Sequence, residues 1–219
     1  MNSQHWRALL QQHRAIAVIR APQIEQGWQM AQAVAAGGMR LIEVTWNSDR
    51  PAELVKTLSL LPNCVIGAGT LLTESAVEEA IAAGATFLFT PHTNPTLIQI
   101  AVEAGIPMIA GALSPTEIVT AWQAGAACVK VFPVQAMGGA AYLQSLRSPL
   151  AGIPLIPTGG VTIENARSFL EAGAIGVGLS NELFPRTAIA DGDWSAITQQ
   201  AQTLLANLSR QSSPQPTVG

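Results

Sequence analysis

The sequence predicts an α/β protein of one domain, a (β/α)8 TIM barrel over residues 1–209 with an extra helix at its N-terminus, and three observations carry the prediction. Eight short apolar runs rich in branched residues recur along the chain, each the length of a strand. An Ala-Gly pair precedes an apolar run at 36–37, 83–84, 104–105, 124–125, 151–152 and 172–173, and all but the 151–152 pair close a stretch of helical character. Glycine tolerates the left-handed conformation that ends a helix, so these pairs read as helix C-terminal caps leading into strands. The runs themselves are almost continuously apolar, the pattern of parallel strands buried on both faces.

Taken in order, the leading segment MNSQHWRALLQQHR lacks the apolar centre of a signal peptide and reads as a short helix. The strand candidates follow as AIAVIR (15–20), RLIEVTW (40–46), CVIGAGT (64–70), TFLFT (86–90), PMIAG (107–111), ACVKVF (127–132), PLIPTGG (154–160) and IGVGL (175–179). Between them, capping oxygens, early prolines and early acids mark helix starts at Thr73-Glu74-Ser75, Asn94-Pro95, Ser114-Pro115-Thr116-Glu117 and Thr162-Ile163-Glu164. Ser114 and Glu117 have capping-box spacing. Eight βα units with right-handed crossovers close most simply into a barrel. An open doubly wound sheet is the alternative, but the Gly-x-Gly-x-x-Gly expected after its first strand is absent. The tail RQSSPQPTVG, 210–219, has no periodicity and is expected to be disordered.

Composition excludes several classes of function. Apolar residues make up 48% of the chain and charged residues 11%, enough to bury a large core. A net charge of −3 without a basic run gives no attraction to nucleic acid or anionic lipid. No apolar stretch approaches the ~18 residues of a membrane span. Cys64 and Cys128 lack metal-ligand spacing and read as reduced thiols of a cytoplasmic protein, with a disulfide between them as the alternative. His5 and His13 fall on the leading helix, away from His92, so no three-histidine metal site is expected; a carboxylate-bound ion stays open. No cofactor is expected.

Barrel active sites lie at the C-terminal ends of the strands, and several polar residues occupy those ends. They are Arg20, then Glu43, Thr45 and Asn47, then Thr70, Lys130, and Thr158-Gly159-Gly160. Period-two alternation puts Glu43, Thr45 and Asn47 on one face of their strand, and Cys128, Lys130 and Phe132 on one face of theirs. The chain has two lysines, and Lys130 lies inside Ala-Cys-Val-Lys-Val-Phe-Pro, where an ammonium would be desolvated. Burial disfavours the charged amine and leaves a nucleophile for a ketone; the bland reading is a strand-end lysine paired with an acid. Glu43, in Leu-Ile-Glu-Val-Thr, reads equally as a counter-ion for Lys130 or Arg20 and as a general acid/base. Thr158-Gly159-Gly160, before Thr162-Ile163-Glu164, is either a mere turn or a phosphate cradle of backbone N–H groups. Gly67-Ala68-Gly69-Thr70 is a glycine-permitted close approach or a substrate clamp.

Five motifs in order, Ile-Glu-Val-Thr (42–45), Gly-Ala-Gly-Thr (67–70), Thr-Pro-His (90–92), Lys-Val-Phe-Pro (130–133) and Pro-Thr-Gly-Gly-Val (157–161), resemble the 2-keto-3-deoxy-6-phosphogluconate (KDPG) aldolases, also known as 4-hydroxy-2-oxoglutarate aldolases. The likeness covers roughly residues 5–208. It implies a class I aldolase that cleaves a phosphorylated keto-deoxy sugar acid to pyruvate and glyceraldehyde 3-phosphate, with Lys130 forming the imine and Glu43 moving protons. By the same matching, Thr70 holds the pyruvate carboxylate, Pro91 and Phe132 line the pocket, and Thr158, Gly159 and Gly160 face the distal phosphate. A homotrimer is implied as well.

Two departures stand out. Some members have an arginine at the position of Asn47, where it helps bind the carboxylate; here Arg20 is the candidate cation. Asn47-Ser48 is instead similar to the 6-phosphogalactonate aldolases, which leaves the sugar's C4 configuration open. The family's Gly-x-Gly-Ser phosphate loop reads Gly178-Leu179-Ser180-Asn181, so the phosphate-binding serine falls on Asn181 with Ser180 beside it. Two rival functions are an isomerase or epimerase using Glu43 and Lys130 without a covalent intermediate, and a non-catalytic phospho-ligand-binding barrel.

Overall fold

The computed structural model describes residues 1–209; the expected disordered tail lies outside the described residues. All eight strand candidates are strands: β1 Ala15–Ile19, β2 Leu41–Thr45, β3 Val65–Gly69, β4 Leu88–Phe89, β5 Met108–Ala112, β6 Cys128–Val131, β7 Leu155–Pro157 and β8 Val177–Leu179. They form one parallel sheet in the order β7-β6-β5-β4-β3-β2-β1-β8. A bridge between Thr158 and Gly178 brings the two edges together and closes the barrel. Among the described residues, no helix is long and apolar enough to cross a membrane.

The capping chemistry acts where the sequence places it, with two shifts. Thr73, Asn94 and Ser114 each accept a backbone N–H at a helix start, and Ser114 with Glu117 forms a full capping box. Near Thr162, however, the helix begins only at Ala166. Thr162 N donates to Asn165 Oδ1 at 2.7 Å and Asn165 N donates to Thr162 Oγ1 at 3.1 Å, a reciprocal turn that holds 162–165 out of the helix. The second shift concerns the Ala36-Gly37 pair. Gly37 keeps a right-handed conformation, and Gly38, at φ +100°, makes the left-handed turn. Gly84, Gly105, Gly125, Gly152 and Gly173 are left-handed as their pairs suggest.

Alternation sorts the barrel into two apolar clusters. Ala17, Ile42, Val44, Ala110 and Val129 belong to the larger, which packs against the helices. Ile16, Leu41, Phe87, Phe89, Ile109, Cys128 and Ile156 belong to the smaller, which fills the lumen. The leading helix Ser3–His13 plugs the N-terminal end of that lumen with Trp6 and Leu10, both fully buried. Each side chain contributes roughly 1.5–3 kcal/mol by leaving water. Trp6 stacks on Phe87 at 4.3 Å, and Phe87 meets Phe89 edge-on at 5.9 Å. This aromatic column fills the barrel up to Phe89 and leaves the C-terminal mouth for polar groups.

Candidate active site

Two inward glycines of β3 make that mouth possible. A Cβ on Gly67 would lie 2.3 Å from the Phe87 ring, and one on Gly69 would lie 1.8 Å from Glu43 Oε1. Neighbouring side chains therefore occupy the space of two absent ones, which is the close-approach reading of Gly67-Ala68-Gly69. Thr70, the next residue, has φ +60°. This conformation costs a β-branched residue about 1–2 kcal/mol. It turns the chain out of the strand, and Thr70 lines the cavity.

The cavity has a volume of about 460 Å³ and opens at the C-terminal ends of the strands. Every residue expected there lines it except Asn47: Arg20, Glu43, Thr45, Thr70, Pro91, Lys130, Phe132, Thr158, Gly159, Gly160, Ser180 and Asn181. Asn47 stands two residues beyond the end of β2, where strand alternation no longer governs direction. Its side chain lines a neighbouring groove instead. Val18, Val161, Thr162, Gly178 and Glu182 complete the lining; Val161, Thr162 and Gly178 belong to the two candidate phosphate segments of the sequence, whereas sequence reasoning missed Val18 and Glu182. Val18 was findable by alternation, two positions before Arg20; nothing in the sequence marked Glu182.

Lys130 and Glu43 are both buried, at 6% and 2% exposure, and both line the cavity. Lys130 Nζ lies 4.8 Å from the Phe132 ring centre and 5.8 Å from that of Phe89. Burial pushes the lysine's pKa down; Glu43 opposes the shift and Arg20 reinforces it. Burial likewise pushes the Glu43 pKa up, against the pull of Lys130 and Arg20. No ion pair within 4.0 Å joins Lys130 to an acid among the described residues. Glu43 Oε1 has no hydrogen-bond partner. A buried, unsatisfied carboxylate oxygen facing a cavity is costly unless a ligand or a proton completes it.

Arg20 is held from the side. Its Nε donates to Asn47 Oδ1 at 3.2 Å. Ala21 N donates to Ser48 Oγ at 3.0 Å, Asp49 N donates to the Ala21 carbonyl at 3.0 Å, and Ile24 N donates to Asp49 Oδ2 at 3.1 Å. Ser48 Oγ also lies 3.2 Å from the Thr45 hydroxyl. The loops after β1 and β2 are thus fastened along 47–49, and Arg20 pairs with an amide rather than with an acid.

Across the mouth, Gly159 and Gly160 have φ of +86° and +83°. Among the described residues, the N–H groups of Gly160 and Val161 have no acceptor within the protein. Thr90 fixes the Pro91 wall: its hydroxyl donates to the His92 carbonyl at 2.7 Å and accepts from Gly111 N at 3.3 Å. Cys64 and Cys128 are unpaired. No group of three or more His, Cys, Asp or Glu side chains placed to hold a metal ion occurs among the described residues.

A closed (β/α)8 barrel with a buried amine and a buried carboxyl at its mouth has the architecture of a barrel enzyme. Residues 7–200 match the aldolase family described as KDPG and KHG aldolase, and the chain belongs to that family. It is an aldolase, a carbon–carbon lyase. A 2-dehydro-3-deoxy-phosphogluconate aldolase of Treponema pallidum is 32% identical over 197 residues, covering 90% of this chain and 94% of that one. Among solved structures, the 2-keto-3-deoxy-6-phospho-gluconate aldolase of Zymomonas mobilis superposes with a TM-score of 0.84 at 25% identity, over 94% of this chain and 97% of its own. The KDPG aldolase of Legionella pneumophila, with pyruvate captured as a covalent carbinolamine, superposes with a TM-score of 0.82 at 28% identity, over 90% and 97%.

Proposed function

We propose that this aldolase is a class I enzyme that cleaves 2-keto-3-deoxy-6-phosphogluconate to pyruvate and glyceraldehyde 3-phosphate, and 4-hydroxy-2-oxoglutarate to pyruvate and glyoxylate, through an imine on Lys130. The observation that carries the reading is Lys130, an amine buried against two aromatic rings and opening onto the same cavity as a buried glutamate. The names of the relatives and the carbinolamine of the Legionella enzyme support the same chemistry.

In this scheme the neutral Nζ attacks the C2 carbonyl, Glu43 moves the protons of the carbinolamine, and water leaves to give the iminium. Glu43 then takes the C4 hydroxyl proton, the C3–C4 bond breaks, and its electron pair flows into the iminium to give an enamine and the free aldehyde. The proton on Glu43 returns to C3. Water then hydrolyses the imine, releasing pyruvate and restoring the amine. Thr70 and Arg20 receive the carboxylate, Thr45 braces the Arg20 loop through Ser48, and Pro91 and Phe132 wall the pyruvyl group. Thr158, Gly159, Gly160, Ser180 and Asn181 face the distal phosphate, where the N–H groups of Gly160 and Val161 are available. A galactonate-series substrate is the second reading, favoured by Asn47-Ser48. In the cell the enzyme is a cytoplasmic homotrimer, a state to be checked by light scattering.

The test is chemical. Borohydride added with pyruvate inactivates the enzyme and leaves one reduced pyruvyl group on the Lys130 peptide. Label on Lys56, or none, rejects the imine and favours the isomerase or ligand-binding alternatives.

A further inference from the structure

Beside the catalytic cavity, and sharing Arg20, Ser180 and Asn181 with it, lies a larger groove of about 710 Å³. Met30 and Phe184, both buried, are among its apolar lining residues, and Arg186 of the helix Arg186–Asp191 lines it as well. Its charge is one-sided. No Asp or Glu lines the groove, whereas Glu43 and Glu182 both line the cavity. Two arginines elsewhere pair with acids, Arg50 with Glu25, Asp49 and Glu53, and Arg167 with Glu171. Among the described residues, neither Arg20 nor Arg186 has an ion-pair partner within 4.0 Å.

A phosphoryl group resting at Ser180-Asn181 stands at the threshold between these two spaces. On the cavity side it meets the Glu182 carboxylate, and the cations there are Arg20 and the deep-set Lys130. From the groove side it meets Arg186, whose planar fork of N–H donors suits a phosphoryl group. We infer that the groove is an anion subsite with Arg186 as its cation, taking a phosphoryl group lodged at Ser180-Asn181. That group comes from the distal end of the bound substrate, which rests on the function proposed above, or from free inorganic phosphate, which does not.

Arg186→Ala and Arg186→Lys separate the sources. If the substrate supplies the group, Arg186→Ala loses about 10-fold more kcat/KM on the phosphorylated keto-deoxy acid than on 4-hydroxy-2-oxoglutarate, through KM, and Arg186→Lys regains part of the difference. Inorganic phosphate then competes with the phosphorylated substrate. If free phosphate is the ligand, the two substrates respond alike, while calorimetric titration with inorganic phosphate shows about 10-fold weaker binding to Arg186→Ala. Equal responses to both substrates together with unchanged phosphate affinity overturn the subsite. Failure of pyruvate trapping in the wild-type enzyme overturns the aldolase mechanism instead, and the phosphate titration still decides the groove.

Discussion

Gly69 of β3 and Glu43 of β2 occupy one site between them: the carboxylate of Glu43 fills the space where a side chain on Gly69 would begin. Gly69 stands beside Thr45 in the ladder and Glu43 beside Gly67, so the carboxylate reaches one inward position along β3 from its own ladder partner. A methyl group there cannot coexist with the present carboxylate position. Gly69→Ala is expected to push Glu43 aside and to cost about 1–3 kcal/mol of stability through overpacking. The variant should fold, with kcat reduced by roughly 10²- to 10³-fold and KM moved far less, as for loss of a general acid/base. Steady-state kinetics beside a thermal melt check this, and full kcat would mean that catalysis does not need Glu43 where it stands.

The charges around Lys130 give a prediction in pH. Burial lowers the lysine's pKa first, Glu43 raises it, and Arg20 lowers it. Glu43→Gln removes the influence that favours the ammonium, so the neutral amine persists to lower pH. The pH midpoint of borohydride trapping with pyruvate should fall in Glu43→Gln and rise in Arg20→Gln. Turnover drops in both. Shifts of the same sign in the two variants would show that the present placement of these charges does not govern the lysine.

Arg20 and Asn47 exchange a hydrogen bond at 3.2 Å, so the amide at the departing position holds the arginine rather than replacing it. The bond uses Nε and leaves the two terminal nitrogens for a carboxylate, a paired geometry that lysine cannot reproduce. Arg20→Lys should lower kcat/KM by about 10- to 100-fold if a bond worth ~1.5–3 kcal/mol is lost. Asn47→Ala, which frees the guanidinium without removing it, should cost less. Full pyruvate affinity in Arg20→Lys with its loss in Asn47→Ala would move the clamp to Asn47.

Most of this architecture was legible because it is periodic. Branched runs, Ala-Gly caps and capping oxygens act over a few residues, so the strands and the Thr73, Asn94 and Ser114 helix starts follow directly. The convergence of Lys130 and Glu43 was legible for the same reason, since alternation and strand order put both inward. Part of what escaped depends on partners distant in sequence, and part on local backbone geometry beyond the ends of the strands. That Gly69 yields to Glu43 and Gly67 to Phe87 is a matter of register between strands. The turn at Thr162 extends because Asn165 answers its backbone, a local competition that the acid at Glu164 does not reveal. Asn47 was misplaced because alternation was carried past the end of β2. The groove at Arg186 arises from helix packing that no motif announces.

The distal end of the site carries the last prediction. Gly160 has φ +83°, and a Cβ on it would lie 2.3 Å from Gln135 Cβ. Any side chain there strains the backbone and displaces the short helix Gln135–Met137, which lies against the loop where the Gly160 and Val161 N–H groups are available. Backbone strain alone is expected to cost about 1–2 kcal/mol. Gly152 supplies the control: it is also left-handed, at φ +92°, but a Cβ there meets nothing within 4 Å. Gly152→Ala should therefore lose comparable stability without touching KM. Gly160→Val should raise KM for a phosphorylated keto-deoxy acid far more than for 4-hydroxy-2-oxoglutarate, which has no phosphate to misplace. Melting curves and parallel kinetics on both substrates decide the matter, and equal losses on the two would make 158–160 a turn that only supports the fold.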